Sequence, residues 1–227
     1  MIKYHPHLIQ GSDEWFAARC GLLTASEMKL IITPKKLEYA QNDKEKSHLF
    51  ELAAQRQNNH VEPTYIGDEM LRGRDDENEA KFKYEENYGR ITDMGFITND
   101  KWGFTLGFSP DGLVGDKKII EAKSRRQKFQ FETIINWAVP EEHIIQVQTG
   151  LLVTERESLD YISYCGGMPM ATIAVEPDKK YQDAIIKCAT IFHEKLENIM
   201  QQYKDRLLEK AQWLVATERR IEQEIAI

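Results

Sequence analysis

The 227-residue chain is 41% hydrophobic, which is enough apolar content for one compact domain with its own core. Its three cysteines lie far apart with no Cys-x-x-Cys pair, and this argues against a zinc site, an iron–sulfur cluster or a disulfide framework. No basic start precedes an apolar run, and no apolar stretch is long enough to cross a bilayer. We therefore expect a cytoplasmic protein without a membrane partner.

The net charge of −7 disfavours a protein that simply coats nucleic acid, because non-specific affinity comes from Lys and Arg neutralising phosphates. A metal-dependent site weakens this objection, since bound cations reverse the local field around clustered carboxylates. Positive charge is also concentrated locally, because Lys123, Arg125, Arg126 and Lys128 fall within six residues. On its own, such a run is typical of a solvated surface.

The first part of the chain is predicted to be helical, with helices over residues 15–19, 24–32, 43–57 and 67–87. Gly21 ends the first of these helices, and Thr24 is the candidate N-cap of the second. The fourth helix is highly charged. No repeat, low-complexity segment or linker divides the chain, so residues 1–227 are predicted to form a single domain.

Strands and helices alternate in the rest of the chain. A β-meander is predicted with strands over residues 91–98, 104–109 and 118–122, and two further strands over 160–165 and 170–175. Helices are predicted over residues 129–137, 140–152 and 178–208, the last being a long C-terminal helix. This order of elements predicts an α/β fold in which helices flank a sheet.

The main chemical signal is Ser109-Pro110-Asp111-Gly112, followed by Glu121-Ala122-Lys123. Asp111 is expected where one strand ends in a turn, while Glu121 and Lys123 lie two apart on the next strand and so share a face. Two carboxylates hold Mg²⁺ while the ion keeps waters and substrate phosphate oxygens. The adjacent lysine is suited to orienting or deprotonating an attacking water and to stabilising charge on phosphorus.

Other Glu-x-Lys sequences, at residues 27–29 and 79–81, fall in predicted helices, where the two side chains point in different directions. They are interpreted as surface charges. For the main motif, the alternative is that Asp111 caps a hairpin turn and Glu121 pairs with Lys123 on a solvated strand.

Four ordered blocks resemble the phage lambda exonuclease family of viral recombination nucleases, which are YqaJ-like members of the PD-(D/E)XK superfamily. The resemblance covers roughly residues 10–176. The blocks are Trp15 with residues 19–26 (RCGLLTAS), residues 73–80 (GRDDENEA), the motif of residues 109–112 and 121–123, and Gln146-Val147-Gln148. The resemblance implies a restriction-endonuclease-like core, with a central mixed β-sheet flanked by helices.

The resemblance also implies roles for the catalytic residues. Asp111, Glu121 and Glu77 are expected to bind metal, Lys123 to be the catalytic lysine, and Gln146 to contact the active site from a helix. The alternative for Glu77 is a surface pair with Lys81 at i, i+4. The alternative for Gln146 is simple helix polarity.

The resemblance of the first block further implies that Arg19, Ser26 and Ser109 bind a terminal 5′-phosphate. These side chains suit that role, since a guanidinium binds a phosphate through two parallel hydrogen bonds and hydroxyls add neutral donors. Trp15 and Arg126 complete the DNA-binding set, with Arg125 as the alternative to Arg126. Otherwise, Ser26 and Thr24 are helix caps and Arg19 is a surface charge.

The implied activity is 5′-to-3′ digestion of one strand at double-stranded DNA ends, leaving 3′ overhangs for phage-type homologous recombination. Two Mg²⁺ ions are the expected cofactors, with Mn²⁺ as a substitute. The resemblance further implies a homotrimeric ring and a single-strand annealing protein as partner, in a bacterial host or phage-infected bacterium. Two alternatives stay open: a PD-(D/E)XK endonuclease of restriction or repair type, and a noncatalytic DNA-end-binding protein.

Overall fold

The computed structural model describes residues 1–62 and 67–219, with the backbone alone described for residues 68–70. Within these ranges it contains eight strands and seven α-helices. The strands are β1 (Ile2–His5), β2 (Leu23–Thr24), β3 (Phe96–Asn99), β4 (Leu106–Phe108), β5 (Gly112–Val114), β6 (Lys118–Ser124), β7 (Ser158–Tyr164) and β8 (Ala171–Val175). The helices are α1 (Asp13–Arg19), α2 (Met28–Ile31), α3 (Asp43–Asn58), α4 (Asp68–Asn87), α5 (Gln127–Asn136), α6 (Glu141–Thr154) and α7 (Lys179–Glu209).

The strands form two mixed sheets of four strands each, with the orders β1-β3-β4-β2 and β5-β6-β7-β8. Strands β2 and β4 are the parallel pair of the first sheet, and β6 and β7 are that of the second. The register of the second sheet places Glu121 opposite Tyr161 and Lys123 opposite Ser163. The predicted α/β class, with mixed sheet and flanking helices, is confirmed.

Helices α6 and α7 form much of the core between and around these sheets. Helix α7 buries Ile185, Cys188, Ala189, Phe192 and Leu196, a spacing that puts them on one face of the helix. Helix α6 approaches β4 closely at Gly150, where a Cβ atom would lie 2.8 Å from the Phe108 ring. A larger residue at position 150 would therefore push α6 away from the first sheet.

Two predicted features of the backbone are wrong. The meander is not continuous, because β4 and β6 lie in different sheets and the partner of β6 on that side is the short strand β5. Pro110 follows β4, and proline has no N–H to donate to a strand ladder. Thr24 is not a helix N-cap, because it belongs to β2 and is held by parallel pairing with Gly107.

The other predicted elements recur with shifted ends, and strands β1, β2 and β5 are additional. The N-cap of α2 is Glu27, which makes no side-chain capping bond. No helix in the described ranges is both long enough and apolar enough to cross a membrane.

Candidate active site

Nine of the ten site residues predicted from the sequence line one cavity of about 340 Å³, which we call the catalytic cavity. They are Trp15, Arg19, Ser26, Glu77, Ser109, Asp111, Glu121, Lys123 and Gln146. The tenth, Arg126, lines a different cavity together with Arg72 and Lys128. Residues far apart in the sequence, on α1, α4, β6 and α6, therefore meet at one place.

The turn after β4 and the strand β6 hold the motif residues in place. The backbone N–H of Asp111 donates to the Ile120 carbonyl at 3.2 Å, and Asp111 Oδ2 accepts from the Ala122 N–H at 2.6 Å. The Asp111 carboxylate is thus fixed by the strand that carries Glu121 and Lys123. Because these two residues are two apart on β6, their side chains lie on one face.

Glu121 is buried, with 2% of its surface exposed. Its Oε1 accepts from Lys123 Nζ and from Gln146 Nε2, each at 2.5 Å. Its Oε2 is buried and has no hydrogen-bond partner among the described residues. Burial raises the pKa of Glu121 to about 7, the Asp111 charge adds to the rise, and Lys123 opposes it. Gln146 thus has a specific polar contact, which simple helix polarity does not explain.

Glu77 approaches the same group from α4. Burial, a hydrogen bond with Asp111, and the charges of Asp111 and Glu121 raise the pKa of Glu77 to about 9. The surface pair expected under the alternative does not form, because Lys81 Nζ donates to Asp93 Oδ1 at 2.7 Å instead. Three carboxyl groups therefore crowd together, and this crowding favours the protonated form of Glu77.

Lys123 is the cation of this cluster. Burial acts to lower its pKa, but Glu121, Asp111 and Glu77 outweigh that effect and raise the pKa above its ordinary value. Lys123 is therefore an ammonium group here, and it is placed to donate hydrogen bonds into the cavity.

A second group of polar side chains lies at the α1–β2 end of the cavity. The Arg19 guanidinium stacks over the Trp15 ring at 4.2 Å. Arg19 donates to Thr24 Oγ1 at 3.1 Å and to Ser109 Oγ at 3.5 Å, and Trp15 Nε1 donates to Ser109 Oγ at 2.9 Å. The Ser26 hydroxyl lies 3.3 Å from Thr24 Oγ1. Burial lowers the pKa of Arg19, but a guanidinium stays charged at any working pH.

These contacts contradict the alternative interpretation of the first sequence block, in which Ser26 and Thr24 are helix caps and Arg19 is a surface charge. Helix α2 begins at Met28, without a side-chain cap, so Thr24 and Ser26 do not cap it. Arg19 is not a surface charge, because it is held between an aromatic ring and two hydroxyl groups.

The sequence analysis missed His143, which also lines the catalytic cavity, as do Gln10 and Lys29. His143 Nδ1 lies 2.6 Å from the buried Tyr161 hydroxyl. Burial and the charges of Lys123 and Arg125 lower the pKa of His143 to about 3, so its imidazole is neutral. The sequence signal that points to His143 is its i to i+3 spacing from Gln146, which makes the two side chains neighbours on a helix surface.

The carboxyl cluster is suited to a divalent cation that keeps some of its coordination positions for water and substrate. In the described part of the chain, no three His, Cys, Asp or Glu side chains have the arrangement of a ready metal site. Mg²⁺, however, is usually held by one or two carboxylates, with waters and substrate phosphates as its other ligands. The unpartnered Oε2 of Glu121, beside the crowded Asp111 and Glu77, offers such oxygen ligands.

The fold places this chain in the PD-(D/E)XK class of nucleases. Residues 14–157 match the model of the YqaJ-like viral recombinase domain, and the chain belongs to this family. The family and the solved structures that this chain resembles imply a DNA exonuclease. A comparison with curated proteins finds no match.

Three solved structures illustrate the likeness. The alkaline exonuclease LHK-Exo from Laribacter hongkongensis is 29% identical, with a TM-score of 0.77 over 87% of this chain and 99% of that one. A structure of LHK-Exo in complex with dAMP has a TM-score of 0.78, with the same identity and coverage. A phage-related exonuclease from Haemophilus somnus 129PT shares the fold, with a TM-score of 0.55 and 14% identity over 79% of this chain and 96% of that one.

Proposed function

We propose that this protein is a Mg²⁺-dependent exonuclease that digests one strand of double-stranded DNA in the 5′-to-3′ direction and leaves a 3′ overhang. The proposal rests on one observation, which is that a single cavity is lined by two sets of side chains suited to two different chemical tasks. The carboxyl groups and Lys123 form one set of its lining residues, and Arg19 with two serines forms another. The first set suits phosphodiester hydrolysis, and the second suits a terminal phosphate.

Asp111, Glu121 and Glu77 would hold the metal. When bound, Mg²⁺ supplies Lewis-acid stabilisation of phosphate charge and makes water more acidic, and a pair of ions suits both the attacking and leaving oxygens. Gln146 positions the Glu121 carboxylate through its amide N–H. Lys123, which donates to Glu121, would lie beside the phosphate and stabilise negative charge there.

Arg19, Ser26 and Ser109 would hold the 5′-phosphate and so set the direction of digestion. Trp15 supports them, because its ring stacks on the guanidinium and its N–H donates to Ser109. A phosphorylated end bound here leaves the next phosphodiester near the carboxyl groups of the same cavity. This arrangement supports the proposed 5′-to-3′ direction of digestion.

The proposal also covers where the protein acts, how it assembles and which partner it has. We propose that the protein acts in the cytoplasm of a bacterium or phage-infected bacterium as a homotrimeric ring, with a single-strand annealing protein that receives the overhang. Mn²⁺ would substitute for Mg²⁺, since its ligand preferences are similar.

The test compares linear duplex DNA with covalently closed circular DNA, each with Mg²⁺ and with EDTA. We expect mononucleotides from the linear DNA, in Mg²⁺ alone, and no cutting of the circle. Cutting of the circle would favour an endonuclease. Binding to DNA ends without hydrolysis in Mg²⁺ or Mn²⁺ would favour a noncatalytic end-binding protein.

A further inference from the structure

A second cavity, of about 650 Å³, contains a cluster of positive charge that the catalytic cavity does not use. Arg72, Arg125, Arg126 and Lys128 line it, and we call it the basic cavity. In a chain of net charge −7, four cationic side chains around one cavity are a marked local excess. Asp76 is the acidic residue of the wall, and its Oδ2 accepts from Ser124 Oγ at 2.5 Å.

The basic cavity continues the catalytic cavity along the same two elements. Strand β6 carries Lys123 into the catalytic cavity and leads directly to Arg125 in the basic one. Helix α4 carries Glu77 into the former and Arg72 into the latter. Two residues of strand span about 7 Å and five residues of helix about 7.5 Å. On both elements, therefore, the residue in the basic cavity lies at a similar distance along the element from the residue in the catalytic cavity.

Backbone donors add to the positive charge. Helix α5 begins at Gln127 after Arg126, and no side chain caps it. The N–H groups of Gln127 and Lys128, both lining residues, are in the first turn, where helical N–H groups lack intrahelical acceptors. Arg125 has only 8% of its side chain exposed, and its Nε has no partner among the residues described. Its Nη1 donates to Glu142.

We infer that the basic cavity binds a backbone phosphate of the digested strand, about one nucleotide beyond the bond that is cut. The inference rests on the proposed function. Neighbouring phosphates of one strand lie about 7 Å apart along the backbone, about twice the 3.4 Å axial rise of the duplex, so an offset of about 7 Å corresponds to one nucleotide. Guanidinium groups, an ammonium group and helix N–H groups are the donors that phosphate binds best. The site therefore recognises phosphate rather than base, and it favours no sequence.

The experiment measures binding of a 5′-phosphorylated duplex in Ca²⁺, with single phosphates of one strand made neutral as methylphosphonates. In the wild type, we expect a roughly tenfold loss of affinity from neutralising the phosphate about one nucleotide beyond the cut. The double variant Arg72→Gln, Lys128→Gln removes two exposed cations and should be less sensitive to that same substitution, because Arg125, Arg126 and the helix N–H groups remain. Its salt slope should fall by about 0.9 for each phosphate contact that is lost.

The matched control is Lys101→Gln, Lys179→Gln, which removes two exposed lysines that line neither cavity. It should keep the wild-type pattern of methylphosphonate effects. An identical pattern in the wild type and the Arg72, Lys128 variant would overturn the inference, even when both digest DNA. Failure of the wild type to digest any duplex in Mg²⁺ would instead overturn the proposed function.

Discussion

In the absence of a bound cation, the ionised forms of Glu77 and Glu121 are disfavoured relative to their protonated forms. Their pKa values, about 9 and about 7, lie above the ordinary glutamate value because both groups are buried near Asp111, and the Glu121 charge adds to the rise for Glu77. The metal-free folded protein therefore holds these protons more tightly than the unfolded chain does. Their contribution to stability is full below about pH 4 and is lost as the pH rises through 7 and then 9.

We therefore expect the melting temperature of the wild type in EDTA to fall between pH 5 and pH 9, and Mg²⁺ to restore it at the alkaline end. The variant Glu77→Gln removes one of the two titrating groups and should show a smaller fall. The measurement is thermal unfolding followed by circular dichroism. Parallel curves for wild type and Glu77→Gln would show that Glu77 does not titrate in this range.

The motif residues give a second prediction. Asp111→Ala or Glu121→Ala should lower Mg²⁺-dependent hydrolysis about a thousandfold or more, since several kcal/mol of charge stabilisation depend on the metal. Lys123→Ala should lose turnover but still bind metal. Ca²⁺ should support DNA binding without efficient cleavage, because its coordination is larger and looser. Substantial turnover by Asp111→Ala would contradict the metal assignment.

Among the elements, α1, β2 and the end of β4 together build the proposed end pocket. Arg19→Ala removes its one guanidinium group, while Thr24 and Ser109 stay in their strand and turn. We expect the wild type to digest 5′-phosphorylated ends at least about tenfold faster than 5′-hydroxyl ends, and Arg19→Ala to lose most of that preference. Initial rates on the two substrates measure it.

The control for this prediction is Arg90→Ala, which removes an exposed arginine outside the catalytic cavity. It should keep the full preference for phosphorylated ends. Equal rates on both ends with the wild-type protein would refute the pocket, whatever the variants do.

The sequence predicted most helices because their apolar spacing is regular, and it predicted the motif strand because turn signals bound it. That strand in turn placed Glu121 and Lys123 on one face. It could not predict that β4 and β6 lie in different sheets, since strand pairing depends on partners distant in the chain. Thr24 was mistaken for a cap because a two-residue strand has no periodicity of its own. His143 was missed because its contact with Tyr161 is tertiary.

At the level of the whole molecule, one core cluster includes residues from Leu23 to Leu196 and supports the single-domain prediction, which remains a prediction. A net charge of −7 predicts weak electrostatic binding to DNA, and the proposed ring would compensate for that weakness. A closed cyclic oligomer around DNA makes release a topological event rather than an electrostatic one. Helix α5 has exposed apolar side chains at Phe131 and Ile135, and its C-cap residue Trp137 is also exposed, which is typical of surfaces covered in an assembly.

We therefore expect a trimeric mass by light scattering, and digestion that continues after excess unlabelled duplex is added as a trap. The trap prevents rebinding, so continued digestion reports DNA that is held within the ring. A monomeric mass, or digestion that stops as soon as the trap arrives, would show that the protein works by repeated rebinding instead.

The most direct test of the central claim is the polarity of digestion on a blunt duplex, with one strand labelled at its 5′ nucleotide and, in a parallel sample, at its 3′ nucleotide. With Mg²⁺, we predict early release of the 5′ label as a mononucleotide, while the 3′ label persists in a single-stranded overhang. Early release of the 3′ label, or release of both labels in long fragments, would contradict a 5′-to-3′ exonuclease.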